Sequence, residues 1–322
     1  MKQYVPQSLL QSLRDYSRFI FIGHEDPDGD CLSSQYALAS FLSRQSAETA
    51  LVTPGPFERP EIEPYRQSFR LHLPEDVLPE RTLVVVMDCS TLDRIGYLAE
   101  EIEGMQVAVV DHHSSGRDFG DIRFIDSAAP SVTYMVLYII EALGGRPSPE
   151  EAKSLLFGLA TDTGYFRHLE GGTEDTFHAV ARLVAAGANP KAVHQWMYGG
   201  RLLESKQLLG QLLSRATRRL GGRAIFTYET LEDAERFGKQ HRDSDALYSH
   251  LQGIKDNELV ILIREEAPGR CTVGLRSHAA VDVGALAREY GGGGHARAAG
   301  FSWEGSREDI EESLLKRLEG SL

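Results

Sequence analysis

Residues 107 to 110 form an unbroken apolar run, Val-Ala-Val-Val, that ends at three polar residues, Asp111, His112 and His113. A short run of small and β-branched residues is typical of a strand that is buried on both faces, as in the centre of a parallel sheet. Open α/β sheets bind ligands outside the carboxyl ends of such strands. The run therefore predicts a site at that edge of a parallel sheet; the simpler alternative is a capped turn with two solvated histidines.

Two further apolar runs, at residues 19 to 23 and 83 to 87, are predicted to be buried strands with similar endings. The polar residues that follow them are His24, Asp28, Asp30 and Asp88. Chance can supply one strand that stops at a carboxylate or an imidazole. Three such strands indicate a shared site along one edge of the sheet.

A predicted helix adds another carboxylate. Ser148-Pro149-Glu150-Glu151 is a capping box with proline at the first helical position, and the helix that it starts is predicted to end near Asp162. A carboxylate at a helix C-terminus faces the unfavourable end of the helix dipole, so Asp162 needs a nearby cation.

The donor types indicate the kind of ion. Imidazole and carboxylate groups without thiolate suit Mn²⁺, Mg²⁺ or Fe²⁺. The four aspartates Asp28, Asp30, Asp88 and Asp162, with two or three histidines, are too many ligands for one ion and fit two. Asp88 follows the middle strand of the three and is therefore predicted to bridge the ions.

The length and charge of the chain limit its organisation and partners. With 322 residues, the chain is long enough for two domains, because single cores seldom grow past about 250 residues. The net charge of −13 argues against long duplex nucleic acid as a partner. A short anionic ligand in a local pocket remains compatible with this charge.

The sequence predicts a cytosolic protein that does not enter the membrane. The first 17 residues contain no apolar signal core, and no stretch reaches the ~18 apolar residues of a membrane span. The three cysteines, Cys31, Cys89 and Cys271, are too few and too scattered for a disulfide framework and lack zinc-ligand spacing. They are predicted to be reduced and partly buried.

Together, the motifs resemble those of the DHH phosphoesterase superfamily. The four N-terminal motifs are His24-x-x-x-Asp28-x-Asp30, Asp88, Asp111-His112-His113 and Asp162-Thr163-Gly164. The C-terminal residues that resemble a DHHA1 domain are Arg276-Ser277, Asp282-Val283 and the run GGGGHARAAG at 291–300. The residue pattern and the resemblance predict an α/β fold with a parallel-sheet DHH domain at 1–190, a helical linker at 191–220 and a smaller α/β DHHA1 domain at 221–322.

The resemblance implies roles for individual residues. The positions that match the family's metal ligands are His24, Asp28 and Asp88 for one Mn²⁺ ion, and Asp30, Asp88, His112 and Asp162 for the other. Mg²⁺ is the alternative metal. His113 would face the scissile phosphate. Asp111 would either orient an imidazole or cap a buried turn.

The glycine run at 291–294 follows a predicted helix and leads towards a strand, which is the reverse of the dinucleotide-binding fingerprint. Its backbone N–H groups can approach an anion closely, and the resemblance implies that the loop grips the phosphate or nucleotide end of a substrate. A tight turn between packed elements is the alternative. The predicted substrate-binding residues are Arg276, Ser277, Gly292, Gly293, Gly294, His295 and Arg297.

Within the superfamily, the two-domain size is most similar to the NrnA-like group of nanoRNases and pAp phosphatases. This similarity implies metal-dependent hydrolysis of short single-stranded oligoribonucleotides to 5′-mononucleotides, and removal of the 3′-phosphate of pAp. The close alternative is a phosphodiesterase for c-di-AMP or its linear product pApA. A remoter alternative is a nucleotide-binding protein with a structural metal centre. The oligomeric state is open, with a homodimer as one option.

Overall fold

The computed structural model describes residues 5–113, 116, 119–169, 171–278 and 281–319. The chain folds into two compact units, Met1–Gly200 and Arg201–Leu322. Each unit combines helices with one β-sheet, so the predicted α/β class is confirmed. The domain boundaries at 190 and 220 stay a prediction.

The first unit contains a five-stranded sheet. Its strands are β1 (Arg18–Ile22), β2 (Glu48–Val52), β3 (Thr82–Met87), β4 (Gln106–Asp111) and β5 (Ile122–Ile125). Its helices are α1 (Gln7–Asp15), α2 (Gly29–Ser43), α3 (Leu98–Glu101), α4 (Val132–Ala142), α5 (Pro149–Asp162), α6 (Glu174–Ala185) and α7 (Pro190–Tyr198). The order β2-β1-β3-β4-β5 is parallel throughout, which confirms the predicted parallel sheet.

The central strand β3 is buried on both faces, as its apolar run predicts. Val85 joins the core that α2, α4 and α5 form on one face, whereas Val84 and Val86 join a second core on the other face. This alternation fixes the register, because a shift by one residue would exchange the two faces. The register places Val86 beside Ile22, and Met87 beside Val110. The polar residues that follow β1, β3 and β4 therefore emerge at the same edge.

The second unit contains a six-stranded mixed sheet. Its strands are β6 (Thr217–Arg219), β7 (Ala224–Glu229), β8 (Leu259–Ala267), β9 (Arg270–Ser277), β10 (Gly293–His295) and β11 (Ala298–Glu304). Its helices are α8 (Leu203–Ser214), α9 (Leu231–Phe237), α10 (Ser244–Gln252), α11 (Val283–Glu289) and α12 (Arg307–Leu318). The order is β10-β11-β9-β8-β7-β6, in which only β7 and β8 pair in parallel.

The predicted helical linker at 191–220 is not helical to its end. Helix α8 ends at Ser214, and β6 pairs with β7 so that Thr217 faces Phe226. The guanidinium of Arg215 lies over the ring of Tyr228 and pairs with the Asp233 carboxylate. These tertiary contacts override the helical pattern of the residues that precede the strand.

The glycine run is partly a strand, whereas the sequence predicted a loop. Gly293 to His295 form β10, which pairs antiparallel with β11 across a turn at residues 296 and 297. A side chain at Gly292 would collide with the backbone of Gly300 and with Phe301. Glycine is therefore required at position 292 for close strand packing. This requirement agrees in part with the alternative prediction of a tight turn between packed elements.

Among the described residues, no helix is long and apolar enough to cross a bilayer. The cytosolic location stays a prediction.

The predicted capping box at the start of α5 is present and is joined to α2. The Glu151 carboxylate is fully buried and accepts from Ser148 N–H at 2.8 Å, from the Ser40 hydroxyl at 2.8 Å and from Arg44 Nη2 at 2.7 Å. We expect Glu151→Gln to lower the free energy of unfolding at pH 7 by about 2 kcal/mol, because charged hydrogen bonds of about 1.5 to 3 kcal/mol are lost. Denaturant unfolding measures this change.

The pH dependence of this effect has a defined sign. Burial alone raises the pKa of Glu151, but Arg44, Ser148 and Ser40 lower it more, so the net pKa lies below 4.5. The stabilisation is present above pH 4.5 and is lost as the pH falls through the lowered pKa. The difference from wild type should therefore shrink in acid. Glu150→Gln is the matched control, because Glu150 is exposed; an equal loss in both variants would contradict the prediction.

Candidate metal centre

The rings of His24 and His112 are oriented by backbone carbonyl groups. Nδ1 of His24 lies 2.7 Å from the carbonyl oxygen of the next residue, and Nδ1 of His112 lies 3.2 Å from that of Ala129. Since a carbonyl oxygen only accepts, both Nδ1 atoms carry the proton. Nε2 of His24 lies 3.5 Å from Asp88 Oδ2, and Nε2 of His112 lies 3.6 Å from Asp88 Oδ1 and 3.5 Å from Asp162 Oδ2. In the neutral ring, each Nε2 keeps a lone pair for a metal ion.

Asp88 follows β3 in a backbone conformation that is uncommon for a residue other than glycine. Its φ is 58°, and its N–H donates to the carbonyl oxygen of Val110 at 3.0 Å. This bond fixes the residue between the ends of β3 and β4. Such strained positions are frequent at functional sites.

The carboxylate of Asp88 is buried, with 2% of the residue exposed. Its Oδ1 atom accepts no hydrogen bond from the described part of the chain. Burial alone raises the pKa of Asp88, but His24, His112 and His113 lower it more, so the net shift is downwards. A buried ionised oxygen without a hydrogen bond is unfavourable unless a cation compensates for it.

Asp111 orients His113 and also caps the end of β4. Asp111 Oδ1 accepts from His113 Nδ1 at 2.8 Å and from the N–H groups of His112 at 2.8 Å and of His113 at 3.3 Å. The two alternative roles proposed for Asp111 therefore coexist in its geometry. The hydrogen bond that His113 donates to the Asp111 carboxylate raises the pKa of His113. Since Nδ1 is engaged by Asp111, Nε2 is the ring nitrogen available to a ligand.

Asp28 and Asp30 begin α2, but their carboxylates stabilise two different helices. Asp28 is the N-cap of α2, and its Oδ1 accepts from Asp30 N–H and Cys31 N–H, both at 3.0 Å. Asp30 accepts from Val132 N–H at 2.6 Å, from Thr133 N–H at 2.9 Å and from the Thr133 hydroxyl at 2.6 Å. Both carboxylates therefore have a structural role besides the predicted ligand role. The contact between Asp30 and α4 was not predicted from the sequence.

Asp162 is the last residue of α5, as predicted. The pKa of Asp162 is raised to about 6, mainly by burial and also by the negative charge of Asp88, against an opposing effect of His112. For Asp30, burial raises the pKa well above its ordinary value, and Asp88 and Asp162 raise it further. The carboxylates repel one another in the chain alone, and a divalent cation would offset this repulsion.

The donor atoms converge in three overlapping groups, within each of which all atoms lie within 4.8 Å of one another. The groups are His24, Cys31 and Asp88; Asp88, His112 and His113; and Asp30, His112 and Asp162. Asp88 and His112 each belong to two groups, which agrees with a centre for more than one ion. Asp28 belongs to none of them. Cys31 was not among the predicted ligands, although its position directly after Asp30 at the start of a helix could have indicated it.

The predicted substrate-binding residues of the second unit lie together at one end of its sheet. Ser277 N–H donates to the carbonyl oxygen of Arg297 at 3.0 Å, and Arg276 pairs with a residue of β11. The guanidinium of Arg276 lies 4.4 Å from the ring centroid of Tyr248. His295 and Arg297 are exposed. The strand pairing therefore aligns His295, Ala298 and Arg276 in one row across β10, β11 and β9.

Comparison with known families gives two matches. The family described as "DHH family, N-terminal domain" matches residues 18–159. The DHHA1 domain matches residues 207–322. The first match contains the predicted metal ligands except Asp162, and the second contains the predicted substrate-binding residues.

Two relatives carry the same name, bifunctional oligoribonuclease and PAP phosphatase NrnA. The chain is 28% identical to the Thermus thermophilus protein over 299 residues, which cover 92% of this chain and 86% of the relative. It is 27% identical to the Bacillus subtilis protein over 304 residues, which cover 92% and 93%. A solved structure of an exopolyphosphatase-related protein from Bacteroides fragilis aligns with this chain with a TM-score of 0.84 and 22% sequence identity. The alignment covers 99% of each chain and supports the fold.

Proposed function

Because the chain belongs to the DHH family and carries a DHHA1 domain, we propose that it is a metal-dependent phosphoesterase. Its substrates are short oligoribonucleotides, which it hydrolyses to 5′-mononucleotides, and pAp, from which it removes the 3′-phosphate. The names of the Thermus and Bacillus relatives support this choice of substrates. The observation that carries the proposal is the convergence of carboxylates and oriented imidazoles around Asp88, whose buried Oδ1 has no hydrogen-bond partner among the described residues.

The donor set fits two divalent ions. In our proposal the ligands are His24, Asp28 and Asp88 for one ion and Asp30, Asp88, His112 and Asp162 for the other. Carboxylates mixed with imidazoles suit Mn²⁺ better than Mg²⁺, which prefers oxygen ligands and retains water. When bound, the ions would supply activation of water and stabilisation of negative charge on the phosphoryl oxygens.

His113 is proposed to contact the phosphate. Its Nδ1–H group is held by Asp111 Oδ1 at 2.8 Å, so the direction of Nε2 is fixed before a substrate binds. A preorganised donor directed at a phosphoryl oxygen stabilises the charge that develops there. Asp111 is therefore a positioning residue, which acts through His113.

We expect Asp111→Asn to lower kcat about 10- to 100-fold with little change in KM, because the loss of an orienting carboxylate typically has this magnitude. Asparagine keeps the size and one acceptor oxygen but not the charge that holds the imidazole. Steady-state kinetics with a short oligoribonucleotide, together with metal analysis, measure the effect. A rise in KM alone, or a loss of bound metal, would contradict a positioning role.

The second unit is proposed to bind the substrate's phosphate or nucleotide end. The residues assigned to this role are Arg276, Ser277, Gly292, Gly293, Gly294, His295 and Arg297. The exposed glycines Gly293 and Gly294, next to the exposed His295 and Arg297, suit the close approach of a terminal phosphate. Since the chain has a net charge of −13, a local cluster of this kind favours short ligands over long polyanions.

A substrate panel tests the proposal. The purified chain is incubated with Mn²⁺ and a ribonucleotide pentamer, pApA, pAp, c-di-AMP or pyrophosphate, in parallel with Asp88→Asn. We expect release of mononucleotides from the pentamer and pApA, and of AMP from pAp, which a chelator and the variant both abolish.

Other outcomes of the panel favour other functions. Faster turnover of c-di-AMP than of any linear substrate would identify a cyclic dinucleotide phosphodiesterase. Tight binding of nucleotides without turnover of any substrate would contradict the enzyme proposal and favour a binding protein with a structural metal centre.

A further inference from the structure

The thiol of Cys31 lies among the donors of the proposed metal centre. Its Sγ atom, a ring nitrogen of His24 and a carboxylate oxygen of Asp88 all lie within 4.8 Å of one another. The three residues are buried, with exposures of 0% for Cys31, 5% for His24 and 2% for Asp88. Cys31 is the third residue of α2, and helical side chains lean towards the N-terminus of their helix. The helix start therefore directs the sulfur towards the ends of β1 and β3.

The surroundings of the sulfur are polar as well as apolar. Nε2 of Gln35 lies 3.5 Å from Sγ and 2.9 Å from the carbonyl oxygen of Cys31. Gly23 lies next to both groups, and a Cβ atom there would collide with the sulfur and with Gln35. A small residue before His24 thus leaves room for the sulfur. A neighbouring amide donor also suits a negatively charged thiolate.

The Asp88 carboxylate indicates that this group of donors belongs to a site arranged for cations. Its Oδ2 lies 3.5 Å from His24 Nε2, whereas its Oδ1, which is buried and has no hydrogen-bond partner among the described residues, lies 3.6 Å from His112 Nε2. Asp28, the third ligand suggested by the resemblance, uses its Oδ1 to cap α2 and belongs to none of the donor groups. Cys31 is the residue that completes the group of His24 and Asp88.

We propose that Cys31 is a further ligand, a thiolate, of the ion that His24, Asp28 and Asp88 are proposed to hold. The thiol proton would leave to solvent as the ion binds. A sulfur donor makes this half of the centre softer than one built from oxygen and nitrogen alone, so it binds Co²⁺, Zn²⁺ or Fe²⁺ in preference to Mn²⁺. The half that contains Asp30, His112 and Asp162 has no sulfur among its donors and retains Mn²⁺. This inference rests on the metal centre of the proposed function.

Cobalt absorption tests the inference without an activity assay. The metal-free full chain is titrated with Co²⁺, and the near-ultraviolet thiolate-to-cobalt charge-transfer band is recorded together with the number of ions bound per chain. We expect the band in the wild type and its loss in Cys31→Ser, with Co²⁺ affinity at that half reduced at least about 10-fold. Mn²⁺ affinity should change less. Cys31→Ala, with its fold checked by circular dichroism, should behave in the same way.

The other two cysteines provide matched controls. Cys89 is buried and donates to the carbonyl oxygen of Thr91, and Cys271 lies in β9; neither belongs to a donor group in the described chain. Both serine variants should keep the band.

Two results would overturn the role of Cys31. In the first, the wild type binds two Co²⁺ ions per chain but shows no thiolate-to-cobalt band; the metal centre of the proposed function would then still stand. The other is loss of the band in Cys89→Ser but not in Cys31→Ser. Failure of the wild type to bind any Co²⁺ or Mn²⁺ would overturn both this inference and the proposed function.

Discussion

Replacing Asp88 with asparagine is expected to lower kcat/KM on a short oligoribonucleotide roughly 1,000-fold or more. The variant should lose several kcal/mol of stabilisation of the charge in the transition state, and each loss of about 1.4 kcal/mol lowers the rate tenfold. Asp88 is the residue that both proposed ions share. Its carboxylate faces Nε2 of His24 at 3.5 Å and Nε2 of His112 at 3.6 Å. An amide keeps the size of the side chain and removes its charge.

The Asp88→Asn variant should still fold. Oδ1 accepts no hydrogen bond from the described residues, so the exchange breaks few interactions that hold the chain together. Kinetics, bound-metal analysis and thermal unfolding should be measured on the same samples. Asp93→Asn, at an exposed position, is the control and should keep activity. The bridging role would be contradicted if kcat/KM of Asp88→Asn were within about tenfold of the wild-type value, which corresponds to a change of only about 1.4 kcal/mol in the activation free energy.

Replacing Asp30 with alanine is expected to have the largest effect on stability. The Asp30 carboxylate is fully buried and accepts from two N–H groups at the start of α4 and from the Thr133 hydroxyl. Alanine leaves these three donors unpaired, at about 1 to 3 kcal/mol each. We therefore expect the free energy of unfolding of the metal-free chain to fall by more than about 3 kcal/mol. Activity should be lost as well.

Urea unfolding in the presence of a chelator separates these two roles of Asp30, because no metal then contributes to stability. Asp28→Ala is the matched control: it removes the N-cap of α2, which typically contributes about 1 kcal/mol. The free energy of unfolding of metal-free Asp30→Ala could instead lie within about 1 kcal/mol of the wild-type value, which is less than three unpaired donors should cost. In that case the link between Asp30 and α4 is not important for stability.

The sheet and its polar edge could be predicted from sequence because they depend on local patterns. The runs that form β1, β3 and β4 are apolar throughout, and in a parallel sheet their carboxyl ends must meet at one edge. The position of Asp88 after the central strand follows from the same pattern. The proline and the capping box likewise identify the start of α5.

The remaining features depend on contacts between residues that are distant in sequence. Asp30 and Val132 are 102 residues apart, so no local pattern reveals that Asp30 caps α4. The place of Cys31 in a donor group depends on how α2 packs against β1 and β3. In the second unit, the end of α8 is set by the pairing of β6 with β7. The glycine run forms a strand because β11 lies beside it. Tertiary pairing of this kind overrides local propensity.

The most direct test of the account is an anomalous difference map from crystals of the full chain saturated with Mn²⁺. We predict two peaks about 3.5 to 4 Å apart, both within bonding distance of the Asp88 carboxylate. One peak should lie beside His24 and the other beside His112 and Asp162. A map without a peak at Asp88, or with Mn²⁺ bound only elsewhere on the chain, would contradict the proposed metal centre.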